Sequence, residues 1–355
     1  MKNDEIFTLP LSFEVETKIV LKKATEAHSA LAELKGVCRT IPNEAILLNT
    51  LILQEAKESS EIENIITTHD ELFRGSLLDN FISNATKEVL NYAEAMRLGF
   101  DLIKKSGFLS NNFILKIQEK LEKNKAGFRK LTGTALKNDK TGEVIYTPPQ
   151  EYDEIIRLMN NLEFFINDDE NEIDNLVKMA IIHFQFETIH PFYDGNGRTG
   201  RIINVLYLVL KGLLDFPILY LSRYITENKQ VYYQLLQTTR TNNTWEEWIL
   251  FMLEGIKQTS KKAIVLISEI RLLMDKYKAE IREKLPKIYS KDLLENLFKH
   301  PYTKVDYLKQ DLMCSDRTTL KYLKELVEAG FLEKYKVGRS VFYLNKPLFD
   351  LFLKK

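Results

Sequence analysis

The most informative stretch of this chain runs from His190 to Arg201 and reads HPFYDGNGRTGR. The segment before it, Leu176 to Phe184, carries apolar side chains at three- and four-residue spacing, and the segment after it, Ile202 to Leu213, is apolar nearly all round. We therefore expect a glycine-containing loop between two helices, the second of them buried at the centre of a mainly helical domain.

The loop combines groups that are suited to holding a polyphosphate. Gly195 and Gly197 carry no side chain, so backbone N–H groups can point at an anion there. The helix expected to begin near Arg198 presents partial positive charge at its N-terminus. Arg198 and Arg201 are three residues apart, so both guanidinium groups can face the same side of the first turn and bind phosphate oxygens.

Two other side chains of the stretch indicate what happens to the phosphate. Asp194 is a single carboxylate beside the cradle, which is a usual way to hold Mg²⁺ together with phosphate oxygens. His190, with an ordinary pKa of about 6.5, is suited to act as a general base near neutral pH. A cradle, a metal carboxylate and a base within one short stretch indicate phosphoryl or nucleotidyl transfer.

The same stretch resembles the signature of the Fic family, HPFx[DE]GNGRxxR, at every fixed position. Members of this family are helical enzymes, and most transfer AMP from MgATP to a Ser, Thr or Tyr hydroxyl of a target protein. The resemblance implies that His190 deprotonates the attacking hydroxyl, Phe192 anchors the loop and Asp194 holds Mg²⁺. It assigns nucleotide contacts to the residues that follow: Gly195, Asn196, Gly197, Arg198, Thr199, Gly200 and Arg201.

One position of the loop indicates which group is transferred. Toxins that resemble this family but phosphorylate their targets carry a Lys in the corresponding loop, whereas this chain keeps Gly197. The loop therefore favours AMP transfer over phosphate transfer, with another nucleotide donor left open.

A second motif lies well upstream. Ser59 to Asn64 reads SSEIEN and resembles the family's inhibitory motif [ST]xxxE[GN], with Ser59, Glu63 and Asn64 at the fixed positions. Ser59 and Glu63 are four residues apart and share one helix face, from which the carboxylate could pair with Arg198 and keep the γ-phosphate out of line. Some relatives also use this Glu to remove AMP, and that activity stays open.

Two segments resemble substrate-binding parts of the family. Thr134 to Pro149 reads as a hairpin with a turn signal at Asn138 to Gly142, and it resembles the flap that docks the target peptide. Ile145 and Tyr146 are the candidates to clamp an added target strand.

The adenosine pocket is expected from aromatic residues downstream of the loop. Of the adjacent Tyr232 and Tyr233 a helix can turn only one squarely inward, and we expect Tyr233 to stack on adenine together with Trp245. Core packing is the alternative for all of these rings.

The last 70 or so residues predict a different unit. Three helical segments precede two short strands around Gly338, which is the order of a winged helix. Arg317, Lys321, Lys324 and, on the wing, Arg339 could meet DNA phosphates, but glutamates are interleaved with them. DNA and protein partners both stay open.

Whole-chain properties set the remaining limits. The 355 residues include 50 basic and 50 acidic side chains, so the formal net charge of zero gives no support to non-specific nucleic-acid coating. Two distant cysteines make a disulfide framework unexpected. The absence of a long apolar stretch or signal peptide indicates a soluble cytoplasmic protein with no membrane partner.

The sequence therefore predicts an all-α fold, namely a helical Fic domain with a small β-hairpin flap, followed by a C-terminal winged-helix domain. The expected divisions are an N-terminal helical region with the inhibitory helix (1–105), the catalytic core (106–256), a linker helix (257–287) and the winged helix (288–355). The expected function is a self-inhibited protein adenylyltransferase that uses ATP and Mg²⁺ on a target protein, with self-modification and a homodimer left open. The alternative is a DNA-binding regulator that senses a nucleotide, for which the base His190 would be dispensable.

Overall fold

The computed structural model describes residues 6–75, 83–137, 141–337 and 340–353. The described part is mainly helical, as expected. Its helices are α1 Lys18–Cys38, α2 Glu44–Ile62, α3 His69–Gly75, α4 Asn84–Ser106, α5 Asn111–Glu122, α6 Tyr152–Asn167, α7 Asn175–Ile189, α8 Asn196–Leu210, α9 Ser222–Glu227, α10 Lys229–Asn242, α11 Trp245–Lys284, α12 Lys291–Lys299, α13 Val305–Leu312, α14 Asp316–Glu328 and α15 Lys346–Leu353. The strands are β1 Leu136–Lys137, β2 Val144–Tyr146, β3 Tyr302–Thr303, β4 Glu333–Val337 and β5 Ser340–Leu344.

Two helices, α7 and α8, form the centre of the molecule. Asp174 caps α7 by accepting hydrogen bonds from the backbone N–H groups of Leu176 and Val177, and every residue from Leu176 to Ile189 is buried. In α8 nearly all side chains up to Leu208 are buried as well, in agreement with its apolar sequence. Because α7 packs against α1, α6 and α11 and α8 packs against α2, α4 and α5, the short segment that joins them is held in a fixed position.

Helix α2 carries the upstream motif to the surface of α8. It begins after the cap residue Asn43 and ends at Ile62, so Ser59 lies in its last turn and Glu63 is the residue just beyond it. Asn64 follows with a φ of 63°, in the left-handed region that Gly and Asn adopt most readily. The backbone geometry therefore explains why the motif requires Gly or Asn after the glutamate.

Helix α11 runs for 40 residues through the expected boundary at residue 256. The expected linker helix, 257–287, thus coincides with the second part of a helix that begins at Trp245. The sequence around the boundary contains no proline that would end the helix, and Gly255 lets the helix pack closely, since a Cβ there would come within 2.7 Å of the Tyr224 ring. Helix α1 packs along α11, which joins the N-terminal region to the core.

The C-terminal elements form a compact unit on α2 and α3. Its three-stranded antiparallel sheet has the order β3-β5-β4, and helices α12, α13 and α14 precede the β4–β5 hairpin as the sequence predicted. Residues 338 and 339, including the expected wing residue Arg339, lie outside the described residues. Asn43 donates to Glu295 of α12 at 2.7 Å, and Phe73 of α3 packs against Phe349 and Phe352 of α15.

Within the described residues, none of the helices combines the length and the hydropathy that crossing a bilayer requires.

Candidate active site

The loop between α7 and α8 is fixed by its own side chains. His190 ends α7 with a φ of 48°, and its N–H donates to the carbonyl of Phe186 at 2.9 Å. Phe192 is fully buried, with ring centroids 5.2 Å from Phe128 and 6.3 Å from Phe186. The Asn196 amide accepts from the N–H of Phe192 and donates to its carbonyl. The Asn196 side chain therefore closes the loop and does not face a ligand, so only its backbone N–H remains for an anion.

The N-terminus of α8 is shaped to receive an anion. Gly195 stands at the N-cap with a φ of 74° and supplies no side-chain cap, so the first N–H groups of α8 have no intrahelical acceptor. A Cβ at Gly197 would lie 2.8 Å from the side chains of both Arg201 and Glu63, so a larger residue would have to displace these two groups.

Thr199 and Gly200, for which the sequence predicts nucleotide contacts, make the following contacts within the protein. The N–H of Thr199 already donates to the carbonyl of Gly195 at 2.9 Å, and its side chain is fully buried. Gly200 faces α7, where a Cβ would lie 2.8 Å from Glu187 and 3.1 Å from Phe186. The absence of a side chain at Gly200 therefore allows α7 and α8 to pack closely at this point.

Arg201 is fully engaged by the end of α2. Its Nε donates to Oγ of Ser59 at 2.7 Å, and its Nη2 donates to the carbonyl of Ser59 at 3.0 Å and to Oε1 of Glu63 at 2.8 Å. The sequence predicted a contact of Glu63 with Arg198 alone, and the structure adds this second arginine.

Arg198 is surrounded by carboxylates. Oε2 of Glu63 lies 2.7 Å from its Nε, Oε1 of Glu122 lies 3.0 Å from Nη2 and Oε2 of Glu88 lies 3.4 Å from Nη1. Oδ1 of Asp194 is 3.9 Å away. Only 4% of the arginine side chain is exposed. The guanidinium is therefore occupied by protein acids at the position where the sequence predicts a phosphate.

His190 has the environment of a neutral imidazole. Burial and the nearby positive charges of Arg129 and Arg240 lower its pKa to about 4. Its Nδ1 is buried and has no hydrogen-bond partner among the described residues. A neutral ring can accept a proton at physiological pH, although its basicity is lower than the sequence suggested.

Asp194 lies at the open side of the loop. Three quarters of its side chain is exposed, and its Oδ1 accepts from the N–H of Gly195 at 2.7 Å. One exposed carboxylate next to an anion-binding helix end fits Mg²⁺ that takes its remaining ligands from phosphate and water. No cluster of three or more His, Cys, Asp or Glu ligands occurs in the described ranges.

The flap strands β1 and β2 pair antiparallel, as predicted, and part of their connecting turn, residues 138–140, lies outside the described residues. Ile145 is about half exposed, but Tyr146 faces the core, where its hydroxyl donates to the carbonyl of Thr188 at 2.9 Å. The Arg240 guanidinium lies 4.0 Å from the centroid of the same ring. Tyr146 therefore anchors the flap, which leaves Ile145 as the candidate contact for a target.

The aromatic residues considered for the adenosine pocket lie in different environments. Tyr232 is the tyrosine that turns inward, at 1% exposure, whereas Tyr233 is 48% exposed at the surface of α10. Trp245 is 3% exposed and packs edge-on against Phe184 at 4.6 Å and against Phe7 at 5.6 Å. Trp245 is thus a core residue, and Tyr232 is buried against Trp248 and hydrogen-bonded to His183 at 2.9 Å.

Sequence reasoning missed the residues that support the loop from outside the motif. Arg129 is fully buried; its Nε donates to the carbonyl of His190 at 2.9 Å and its Nη2 to the carbonyls of Pro149 and Ile189. The Tyr193 hydroxyl accepts hydrogen bonds from two backbone N–H groups just after Arg129. No local spacing marks Arg129, because its partners are carbonyls 20 to 61 residues away.

The predicted recognition helix, α14, carries basic side chains that face acids of the same helix. Lys321 lies 3.8 Å from Glu325, and Lys324 lies 3.6 Å from Glu328. These pairs reduce the positive potential available to a DNA backbone.

Three family models match successive parts of the chain. The Fic/DOC family N-terminal model matches residues 21–101, the Fic/DOC family model matches residues 108–208, and the SoFic-like protein adenylyltransferase C-terminal domain matches residues 273–348.

Curated relatives carry related names. A probable protein adenylyltransferase of Aquifex aeolicus is 30% identical over 184 residues, which are 50% of this chain and 54% of the relative. The protein adenylyltransferase Fic of Aedes aegypti is 28% identical over 42% of this chain and 28% of its own length. The chain thus spans about half, or less, of the curated relatives it matches.

Solved structures share the fold. A Fic family protein from Desulfovibrio desulfuricans G20 superposes with a TM-score of 0.60 at 18% identity, covering 93% of this chain and 97% of that one. Fic-1 from C. elegans superposes with a TM-score of 0.55 at 20% identity, covering 70% of this chain and 73% of that one.

Proposed function

Because the chain belongs to the Fic/DOC family, we propose that it transfers AMP from ATP to a hydroxyl side chain of a target protein and that Glu63 holds it inhibited. The observation that carries the proposal is the loop from His190 to Arg201, in which a neutral imidazole stands beside an uncapped helix N-terminus. The names of the curated relatives agree with this reaction.

In the proposed reaction the target hydroxyl attacks the α-phosphorus of ATP. Its proton passes to His190, an oxygen–phosphorus bond to AMP forms, and the bond to the β-phosphate oxygen breaks, releasing pyrophosphate. The N–H groups at the start of α8 and the two arginines of its first turns would bind the phosphate oxygens, and such fixed donors stabilise the charge that develops. The left-handed backbone at His190 would hold the ring at the entrance of this cradle.

Mg²⁺ is part of the proposal. Asp194 would hold it from the exposed side of the loop, where the carboxylate lies next to the N–H of Gly195. The bound ion would neutralise part of the negative charge of the phosphates. His190 and the helix N-terminus keep their roles as base and anion site.

Self-inhibition would result from competition for the two arginines. Glu63 contacts Nε of Arg198 and Nη2 of Arg201 at the same time. A nucleotide whose γ-phosphate needs Arg198 must displace this carboxylate or bind with its phosphates out of line. Because phosphate and carboxylate are both anions, they cannot share the guanidinium without repulsion.

Target binding is proposed at the flap. Strand addition along β2 would use backbone hydrogen bonds and would require little sequence recognition. Ile145, about half exposed beside the anchored Tyr146, would cover the target strand.

The proposal is tested by incubating the wild type, Glu63→Gly and His190→Ala with α-labelled ATP, Mg²⁺ and cell lysate. We expect strong protein labelling by Glu63→Gly, weak labelling by the wild type and none by His190→Ala. A double variant, Glu63→Gly with His190→Ala, is the matched control for labelling that does not need the base.

Absence of label in every variant that binds ATP would contradict AMP transfer from ATP. The same assay with α-labelled CTP, GTP and UTP then tests another donor. If those donors also fail while nucleotide binding persists, the role of the chain is that of a nucleotide sensor and not of a transferase.

A further inference from the structure

The inhibitory contact of Glu63 involves only one part of the Arg198 guanidinium. Glu63 lies against Nε, whereas Nη2 and Nη1 face Glu122 and Glu88. Glu63 follows α2, Glu122 ends α5 and Glu88 lies on α4. Removing Glu63 therefore leaves two carboxylates on the arginine.

Of the two acids that remain after removal of Glu63, Glu122 is the more buried. It is the last residue of α5, and its side chain is 12% exposed, compared with 45% for Glu88. Its Oε1 lies against Gly195 so closely that a Cβ there would clash with it. The carboxylate therefore lies at the N-terminus of α8, beside the N–H groups that would bind a phosphate.

The surroundings of Glu122 contain more acid than base. Arg198 faces it, but so do Asp194, Glu63 and Glu88, and its Oε1 makes no hydrogen bond to any described residue. Burial, opposed in part by Arg198, raises the pKa of Glu122 to about 7. A carboxylate without a donated hydrogen bond gains less from its position than one that is fully hydrogen-bonded.

We propose that Glu122 is a second inhibitory carboxylate, which competes with nucleotide phosphate for Arg198 and for the N-terminus of α8. This inference rests on the proposed function, because it assigns a regulatory group to the same site. Its action is independent of α2, so Glu122 limits the activity that remains available once Glu63 has been withdrawn.

The geometry gives the reason. A phosphate that binds Arg198 side-on needs two guanidinium nitrogens, and Glu63 removal clears only Nε. With Glu122 still 3.0 Å from Nη2, an incoming phosphate oxygen meets a second carboxylate within the same few ångströms, and this group is negatively charged above its pKa. Replacing this charge by a neutral amide of the same shape removes the repulsion and keeps the packing against Gly195.

The test is ATP binding measured by calorimetry in the full chain carrying His190→Ala, which prevents turnover. Glu122→Gln, Glu63→Gly and the combination are compared in this background. The matched control is Glu119→Gln, because Glu119 lies on the same helix but pairs with the exposed Lys125 at 3.3 Å. Glu122→Ala is a second variant that removes the charge without the amide, and thermal melting verifies folding.

We expect Glu122→Gln to tighten ATP binding by about three- to tenfold, as removal of a nearby like charge predicts. The combination should bind more tightly than Glu63→Gly alone, Glu122→Ala should change binding in the same direction, and Glu119→Gln should match its parent.

Unchanged or weaker ATP binding in both Glu122 variants, with tighter binding in Glu63→Gly, would overturn the inference and leave the proposed function intact. Such a result would mean that Glu122 orients Arg198 for phosphate. Tighter binding in the Glu122 variants, without labelled product from Glu63→Gly that retains His190, would support the inference and contradict the transferase.

Discussion

One carboxylate oxygen of Glu63 lies 2.8 Å from Nη2 of Arg201, which ties the end of α2 to the second turn of α8. Ser59, one turn earlier, accepts from Nε of the same arginine. The four-residue spacing of Ser and Glu in the motif thus matches the two edges of one guanidinium. The end of α2 is thus attached to α8 twice, through Arg201 and through Arg198.

Ser59→Ala is expected to loosen this attachment. The change removes the acceptor of Arg201 Nε inside a buried site, so the free energy of unfolding should fall by about 1–2 kcal/mol. Urea unfolding measures the loss, and the labelling assay should show basal transfer between those of the wild type and Glu63→Gly. Ser60→Ala is the control, because the Ser60 hydroxyl is buried beside it and has no hydrogen-bond partner among the described residues. Equal losses in both variants would contradict the role of Ser59.

The protonation of His190 gives a second prediction. Its pKa in the fold is about 4, below the ordinary value of about 6.5 that the unfolded chain retains. The folded state therefore favours the neutral ring, so this group's contribution to stability is fully present above pH 6.5 and is lost as the pH falls toward 4.

Carbon-detected NMR of histidine-labelled, nucleotide-free protein checks this directly. The His190 signal, identified by its disappearance in His190→Ala, should show the neutral form from pH 8 to below pH 5.5. A midpoint near pH 6.5 would show that the ring is solvated and would contradict the environment described here.

The fold and the centre of the site could be predicted from the sequence because they depend on local patterns. The apolar helices that flank His190 required no distant partner to be recognised, and the φ of 74° at Gly195 is the conformation for which glycine is needed. Ser59 and Glu63 were also recognisable, since their four-residue spacing spans one turn at the end of α2.

The remaining parts of the site depend on long-range packing. Glu122 and Arg129 resemble ordinary surface charges in the sequence, and only the folded chain brings them to Arg198 and to the carbonyl of His190. Which of the two tyrosines turns inward depends on packing as well: Tyr232 is buried against Trp248 and is hydrogen-bonded to His183, while the predicted contact of Tyr233 with adenine stays a prediction. Periodicity cannot report such partners.

Arg129→Lys is expected to disrupt catalysis through the loop backbone. A lysine ammonium cannot reach the three carbonyls that the guanidinium binds, so buried acceptors are left unpaired. In the Glu63→Gly background, labelling should fall at least about tenfold while ATP binding changes little, and the unfolding free energy should drop by about 3 kcal/mol. Arg157→Lys on the exposed face of α6 is the control. A loss of ATP binding equal to the loss of labelling would indicate general disruption instead of misplacement of His190.

Gly195→Ala and Gly107→Ala form a matched pair that separates backbone strain from crowding. Both glycines have left-handed backbones, with φ values of 74° and 75°, so each alanine should cost about 1 kcal/mol of unfolding free energy. A Cβ at Gly107 meets nothing within 4 Å, whereas one at Gly195 runs into the Glu122 carboxylate. Gly195→Ala should therefore lose at least about 1 kcal/mol more of unfolding free energy than Gly107→Ala, as measured by urea unfolding.

Adding Glu122→Ala to Gly195→Ala should recover that difference but not the backbone strain that both alanine variants share. Equal losses for the two glycines would mean that Glu122 does not rest on the start of α8.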